Sequence, residues 1–141
     1  DLSHLNDKSF FAAIERADYP IASHSNSREI CPAPRNLTDE QLKLIGEKNG
    51  LIGLCFYPKF LGENAFEKIY ENICRLGDLG LENNIAIGSD FDGADMSDEL
   101  SDISKVPDLY AYLEKRGISA GTLKKIFYEN AQNYFDKLNG I

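Results

Sequence analysis

The 141-residue sequence contains no tryptophan, one methionine, two histidines and three cysteines. Cys31, Cys55 and Cys74 are odd in number and too far apart for a CxxC redox pair or a zinc knuckle, so the cysteines fit a reducing, cytoplasmic setting. No run approaches the roughly twenty apolar residues that a spanning helix needs. Positive charge is scarce: 15 Lys and Arg stand against 23 Asp and Glu, a formal charge of −8 that repels phosphate polymers and argues against a nucleic-acid partner. The chain is too short for a complete eight-fold β/α barrel, which takes about 250 residues. It is long enough to bury a core without disulfides or structural metal. Linkers, repeats and low-complexity segments are missing, so residues 1–141 read as a single domain. The opening Asp1-Leu2-Ser3-His4 lacks an initiator Met, a signal peptide and a lead-in of normal element length, which suggests a portion of a longer protein.

What is present is a globular composition, 43% hydrophobic with eight Phe and seven Tyr. Asn6 and Asp7 before Phe10, Phe11 and Ile14 predict a helix over Asp7 to Ala17. The stretch from Tyr19 to His24 reads as a buried strand, with Pro20 near its start and the polar run Ser25 to Arg28 after it. Thr38 and Gln41 form a capping box that opens a helix from Asp39 to about Lys48, stopped by Asn49-Gly50. The continuously apolar Leu51 to Tyr57 is a strand covered on both faces and ended by Pro58. Phe66, Ile69, Tyr70, Ile73 and Leu76 trace one helical face before Gly77 and Gly80. Ile85 to Ser89 is a further buried strand, and residues 92–102, with Met96, form an acidic loop too polar for the core. Pro107 opens a helix to about Arg116. Ser119 caps a last helix that buries Leu123, Ile126, Phe127 and Phe135. Buried strands alternating with helices predict parallel β/α units.

Function in such folds gathers at the carboxyl ends of the strands. His24 and Asp90 end two of the predicted strands, and His4 ends what reads as the last residues of another. Both histidines stand in a Ser-His step. Either one alone fits a hydrogen-bonded structural residue, but neighbouring parallel strands lie about 5 Å apart, so strand-end imidazoles can converge on one metal ion. Asp90 lies in Gly-Ser-Asp-Phe-Asp-Gly. Asp92-Gly93 suits a local turn, whereas a carboxylate directly after an apolar strand asks for a cation or donors, and near zinc it could orient and deprotonate water. Arg35, in a loop held extended by Pro32 and Pro34, is either a surface arginine or a guanidinium fork for a substrate carboxylate. Arg28 competes for that role.

Asp1-Leu2-Ser3-His4, Ser23-His24-Ser25-Asn26, Pro34-Arg35-Asn36-Leu37-Thr38-Asp39 and Gly88-Ser89-Asp90-Phe91-Asp92-Gly93 occur in the order seen in the membrane (renal) dipeptidase family of zinc peptidases, which the whole chain resembles. The resemblance implies the C-terminal part of an amidohydrolase-type (β/α)8 TIM barrel with a two-zinc site. In it His4 and His24 bind one zinc, Arg35 binds the terminal carboxylate of a dipeptide, and Asp90 is the general acid/base. An early His-x-Asp pair, a metal-bridging Glu and a substrate-binding His would then lie upstream of Asp1, leaving the isolated chain inactive. Two other readings stand beside this one: a non-catalytic β/α fragment that self-associates into a homo-oligomer through exposed strand edges, and a different amidohydrolase acting on an amide or ester.

Overall fold

Apolar runs and the residues that bound them set the architecture. The computed structural model, which describes residues 1–140, contains one parallel sheet of β1 (Ile21–Ala22), β2 (Leu51–Leu54) and β3 (Ile85–Ile87), in that order. Ala22 pairs with Ile52, and Gly53 with Ala86. Every residue of β2 is buried, as its apolar sequence predicts for a strand covered on both faces. Helices α1 (Asp7–Ile14), α2 (Asp39–Glu47), the one-turn α3 (Pro58–Leu61) and α4 (Ala65–Asp78) come before β3. After it come α5 (Val106–Lys115), α6 (Ala120–Lys124) and α7 (Asn130–Leu138). The alternation is the parallel β/α order expected from the sequence.

Local chemistry accounts for the helix starts. Asn6 accepts the Ser9 N–H at 2.9 Å, Thr38 and Gln41 form both halves of the capping box, and Ser119 accepts the Thr122 N–H at 3.1 Å. The α4 start is capped from a distance, because Asn64 makes no cap bond and the Glu99 carboxylate accepts the Ala65 N–H at 2.6 Å. Phe10, Leu42, Ile45, Ile52, Ile69 and Leu76 are fully buried in the main core. Each such side chain contributes about 1.5–3 kcal/mol.

Several expectations are corrected. Helix α1 stops at Ile14 rather than Ala17. The first strand is two residues long, and Ser23-His24 is a turn, because side chains take the N–H groups that a longer ladder would use: Ser23 N–H donates to Asp1 Oδ1 at 3.2 Å and His24 N–H to Ser3 Oγ at 3.2 Å. No strand forms at residues 1–4. Pro58 opens a helical turn instead of merely ending a strand. The acidic loop is not excluded from the core, since its Leu100 is fully buried and Met96 packs against the core. The last helix is broken by a π turn at Lys125–Glu129. Its extra residue brings Tyr134 into phase with Ile126 and leaves Phe135 roughly 100° further round. Tyr134 is therefore buried, whereas Phe135 is 46% exposed.

Candidate active site

The carboxyl ends of the strands deliver the polar residues. Leu2 N–H donates to the Ile21 carbonyl at 2.7 Å, so the first residues run beside β1 and lead into His4. β1 leads into His24, β2 into Phe56 and Tyr57, and β3 into Asp90. The ladder continues past the regular strands through Ser25 N–H to Gly53 O at 2.7 Å and Phe56 N–H to Ser89 O at 3.1 Å. His24 and Asp90 nevertheless follow strands separated by β2. The Ser23 turn narrows that gap by folding over the sheet onto two glycines. A Cβ on Gly53 would lie 2.2 Å from the Ser23 carbonyl oxygen, and one on Gly88 only 1.9 Å from it.

His4 and His24 face each other through their Nε2 atoms at 2.8 Å, with ring centroids 4.8 Å apart. His24 Nδ1 lies 2.8 Å from Ser23 Oγ, and that hydroxyl donates to Asp1 Oδ2 at 2.5 Å. Burial holds the His24 imidazole below the ordinary histidine range, and the Arg35 guanidinium adds to this while Asp90 opposes it.

Arg35 donates to Ser25 Oγ at 2.9 Å and to the His24 carbonyl at 2.7 Å, and its guanidinium lies 5.2 Å from the centre of the Phe60 ring. Its Nε is buried without a partner, and among the described residues no carboxylate pairs with it. Burial lowers its affinity for the proton, against the influence of Cys55 and Asp90. Arg28 differs: its guanidinium grips both Asp7 oxygens, at 2.7 and 3.0 Å, and the carbonyls of Pro34 and Asn36.

Asp90 is half-buried and holds a left-handed backbone, φ 65°, as do His4 at 67° and Asp92 at 63°. Such conformations are uncommon outside glycine and concentrate at functional sites. The turn closes with Gly93 N–H donating to the Asp90 carbonyl at 3.1 Å. A cleft of about 490 Å³ opens between His4, Tyr57, Phe60, Asp90, Asp92 and Asp95. A second concavity, of about 400 Å³, lies at the opposite end of the sheet, around Gly50, Asn84 and Asn130, and has no histidine in its lining.

A family model described as membrane dipeptidase (peptidase family M19) matches residues 1–139. The chain belongs to the membrane dipeptidase family. It is 36% identical over 138 residues to the uncharacterized protein in the pqqA 5'region of Klebsiella pneumoniae, covering 92% of this chain and 51% of that protein. An uncharacterized dipeptidase of Schizosaccharomyces pombe is 35% identical over 137 residues, covering 92% of this chain and 34% of its own length. A metallopeptidase from Rhodobacter sphaeroides, solved with a phosphinate mimic of the dipeptide L-Ala-D-Ala, superposes with a TM-score of 0.90 at 35% identity, covering 96% of this chain and 41% of that one. The chain thus spans about half or less of the length of these relatives. Its parallel β/α units are those of the barrel-type fold of the M19 dipeptidases.

Membership of this family implies a metal cofactor, and the residues present fit one in part. Two imidazole nitrogens point at one another, the donor chemistry that zinc accepts. Among the described residues no group of three or more His, Cys, Asp or Glu side chains gathers around a common point. No helix among them is long and apolar enough to cross a membrane.

The sequence reading gave no role in the candidate site to four residues that surround it: Ser23, Asn26, Phe60 and Gly93. Asn26 is fully buried, and its amide donates to the carbonyls of Cys55 and Phe60 while accepting the Cys55 N–H. Asn36 also donates to the Phe60 carbonyl, at 2.7 Å, so two amides hold the residue whose ring lies against Arg35. Glycines inside apolar strands are a readable signal that another stretch of backbone comes close, and Gly53 carries it. The partner that approaches is not readable.

Proposed function

We propose that this chain contributes two zinc ligands, a carboxylate clamp and a proton carrier to a dipeptidase that hydrolyses dipeptides with a free C-terminal carboxylate. The observation that carries the reading is the Arg35 guanidinium, partly buried without a carboxylate partner and bonded to the carbonyl of His24, whose Nε2 faces that of His4. A cation left unneutralised beside a cleft is built for an anion that arrives with a substrate. The ligand of the Rhodobacter relative, described as a dipeptide mimic, supports a dipeptide as that substrate.

His4 and His24 would hold one zinc through Nε2, and a second ion would need donors beyond those gathered here. Zinc, when bound, supplies Lewis-acid polarisation of a carbonyl and an activated water. Arg35 binds the substrate carboxylate and fixes the scissile bond at a set distance from the histidines, which favours very short substrates. Asp90 accepts a proton at its carboxylate and passes it to the leaving amine. Phe60 covers one side of the guanidinium and limits water around the carboxylate.

The test uses the full-length polypeptide with one dipeptide and its C-terminal amide. Arg35→Ala raises KM for the acid, a loss of about 2–5 kcal/mol, and affects the amide far less. Asp90→Asn lowers kcat by about a hundredfold with little change in KM. Equal penalties on acid and amide from Arg35→Ala would remove Arg35 from the clamp.

A further inference from the structure

Both histidines follow a serine, and the chemistry assigned so far makes no use of that repetition. Ser3 Oγ accepts the His24 N–H at 3.2 Å, and Ser23 Oγ lies 2.8 Å from His24 Nδ1, so both serines act on the same imidazole residue. We propose that Ser23, oriented by Asp1, is a positioning residue that fixes His24 in the Nδ1–H tautomer and presents the bare Nε2 to the point it shares with His4.

The tautomer follows from counting protons. A serine hydroxyl has one hydrogen and can accept on its lone pairs, whereas an ionised carboxylate can only accept. Ser23 Oγ has three neighbours: Asp1 Oδ2 at 2.5 Å, His24 Nδ1 at 2.8 Å and Ser3 Oγ at 3.4 Å. The short contact to a charged oxygen is the strongest of the three and takes the hydroxyl hydrogen. A lone pair of Ser23 then faces Nδ1, and the proton between them belongs to the imidazole. A neutral imidazole has a single N–H, so Nε2 is left as an acceptor. In the metal-free chain His4 supplies the proton between the two Nε2 atoms, and for both nitrogens to face a cation that proton would have to move to His4 Nδ1, whereas His24 needs no such change.

The relay is held at both ends. Asp1 Oδ1 accepts the Ser3 and Ser23 N–H groups at 3.0 and 3.2 Å. The Ser23 carbonyl rests where Gly53 and Gly88 have no Cβ. Hydrogen-bonded partners of this kind fix the tautomer and ring orientation of histidine ligands. The purpose of the lock rests on the zinc reading proposed above, whereas the tautomer rests on the hydrogen bonds alone.

Two measurements on the 15N-labelled 141-residue chain separate them. A long-range 1H–15N correlation at about pH 8, where histidine is neutral, is expected to show a pyrrole-type Nδ1 and a pyridine-type Nε2 on His24. Ser23→Ala removes the acceptor and shifts the population toward Nε2–H, and Ser23→Thr restores the original pattern. Asp1→Ala frees the hydroxyl hydrogen to donate to Nδ1 and gives the same shift without touching Ser23. Zinc competition against a chromophoric chelator is expected to show a 10–100-fold weaker affinity for Ser23→Ala, recovered by Ser23→Thr. An Nε2–H signal on His24 in the unaltered chain overturns the proposal before any variant is made, as does a folded Ser23→Ala variant with the original tautomer. An Nδ1–H signal with a zinc affinity that Ser23→Ala leaves unchanged supports the lock and defeats its role in zinc binding.

Discussion

Asn26→Ala offers a quantitative test of how the site is held together. Beyond β1 the backbone no longer pairs with Cys55, and the Asn26 amide stands in for it, accepting the Cys55 N–H at 3.0 Å and donating to the Cys55 carbonyl at 3.0 Å. Cys55 is fully buried, so truncating Asn26 leaves one donor and one acceptor with no access to water. The Phe60 carbonyl keeps its second donor, Asn36, and is not orphaned. Each orphaned buried group costs about 1–3 kcal/mol, so the pair costs about 2–6 kcal/mol. That is a large share of the 5–15 kcal/mol typical of a whole domain. With a mid-range urea m-value of about 2 kcal/mol/M, the unfolding midpoint is expected to fall by roughly 1–3 M at an unchanged slope. Asn26→Asp keeps the acceptor but loses both donations and sets a charge against two carbonyls, so it is expected to destabilise at least as much. Asn133→Ala, on an exposed face, serves as the control and stays within about 0.5 kcal/mol. A loss below about 1 kcal/mol for Asn26→Ala would refute the claim that this amide substitutes for a strand.

Gly93→Ala tests the placement of Asp90: the new Cβ would lie 2.4 Å from Asp90 Oδ1, and Gly93 has no left-handed φ to forbid alanine, so the carboxylate must swing away. In the full-length polypeptide kcat is expected to fall by roughly tenfold to a hundredfold while KM and the melting temperature hold, and an unchanged kcat would show that Asp90 tolerates the move. Asp7 is held below the ordinary carboxylate range, first by its hydrogen bonds from Arg28. A lowered folded-state pKa stabilises above the unfolded value of about 3.9 and loses that stabilisation as pH falls through the folded value, so Asp7→Asn should flatten the acid limb of a stability–pH curve and leave its slope near neutrality unchanged.

Much of the fold is legible because its signals are local. The Thr38–Gln41 capping box, the face traced by Ile69, Ile73 and Leu76, and the uninterrupted apolar run of β2 each act within one turn or one strand. The expectations that fail involve partners distant in the sequence. Glu99 caps a helix that begins at Ala65, and Leu100 is pulled into the core beside it from a loop whose composition is acidic. Ser23 and His24 leave the strand because Asp1 and Ser3 take their N–H groups from some twenty residues away. A π turn that no periodicity announces exchanges Phe135 for Tyr134.

The candidate site divides in the same way. Residue type and position just beyond apolar segments suffice to nominate His24 and Asp90, and also His4, although no strand precedes it, because imidazoles and a carboxylate placed there meet no demand of the core. They do not suffice to choose between Arg28 and Arg35, which share a loop and a side chain. The difference lies in what each guanidinium meets. Arg28 spends its charge on Asp7, and removing that arginine would leave a carboxylate behind. Arg35 meets only a hydroxyl, a carbonyl and an aromatic face, none of which carries a compensating negative charge. A cation held at a desolvation cost without an anion contributes little to folding, which supports the proposed role of Arg35 in binding an anion. For this pair the charge balance of the folded chain, rather than the identity of the residue, favours Arg35 over Arg28 as the proposed carboxylate clamp.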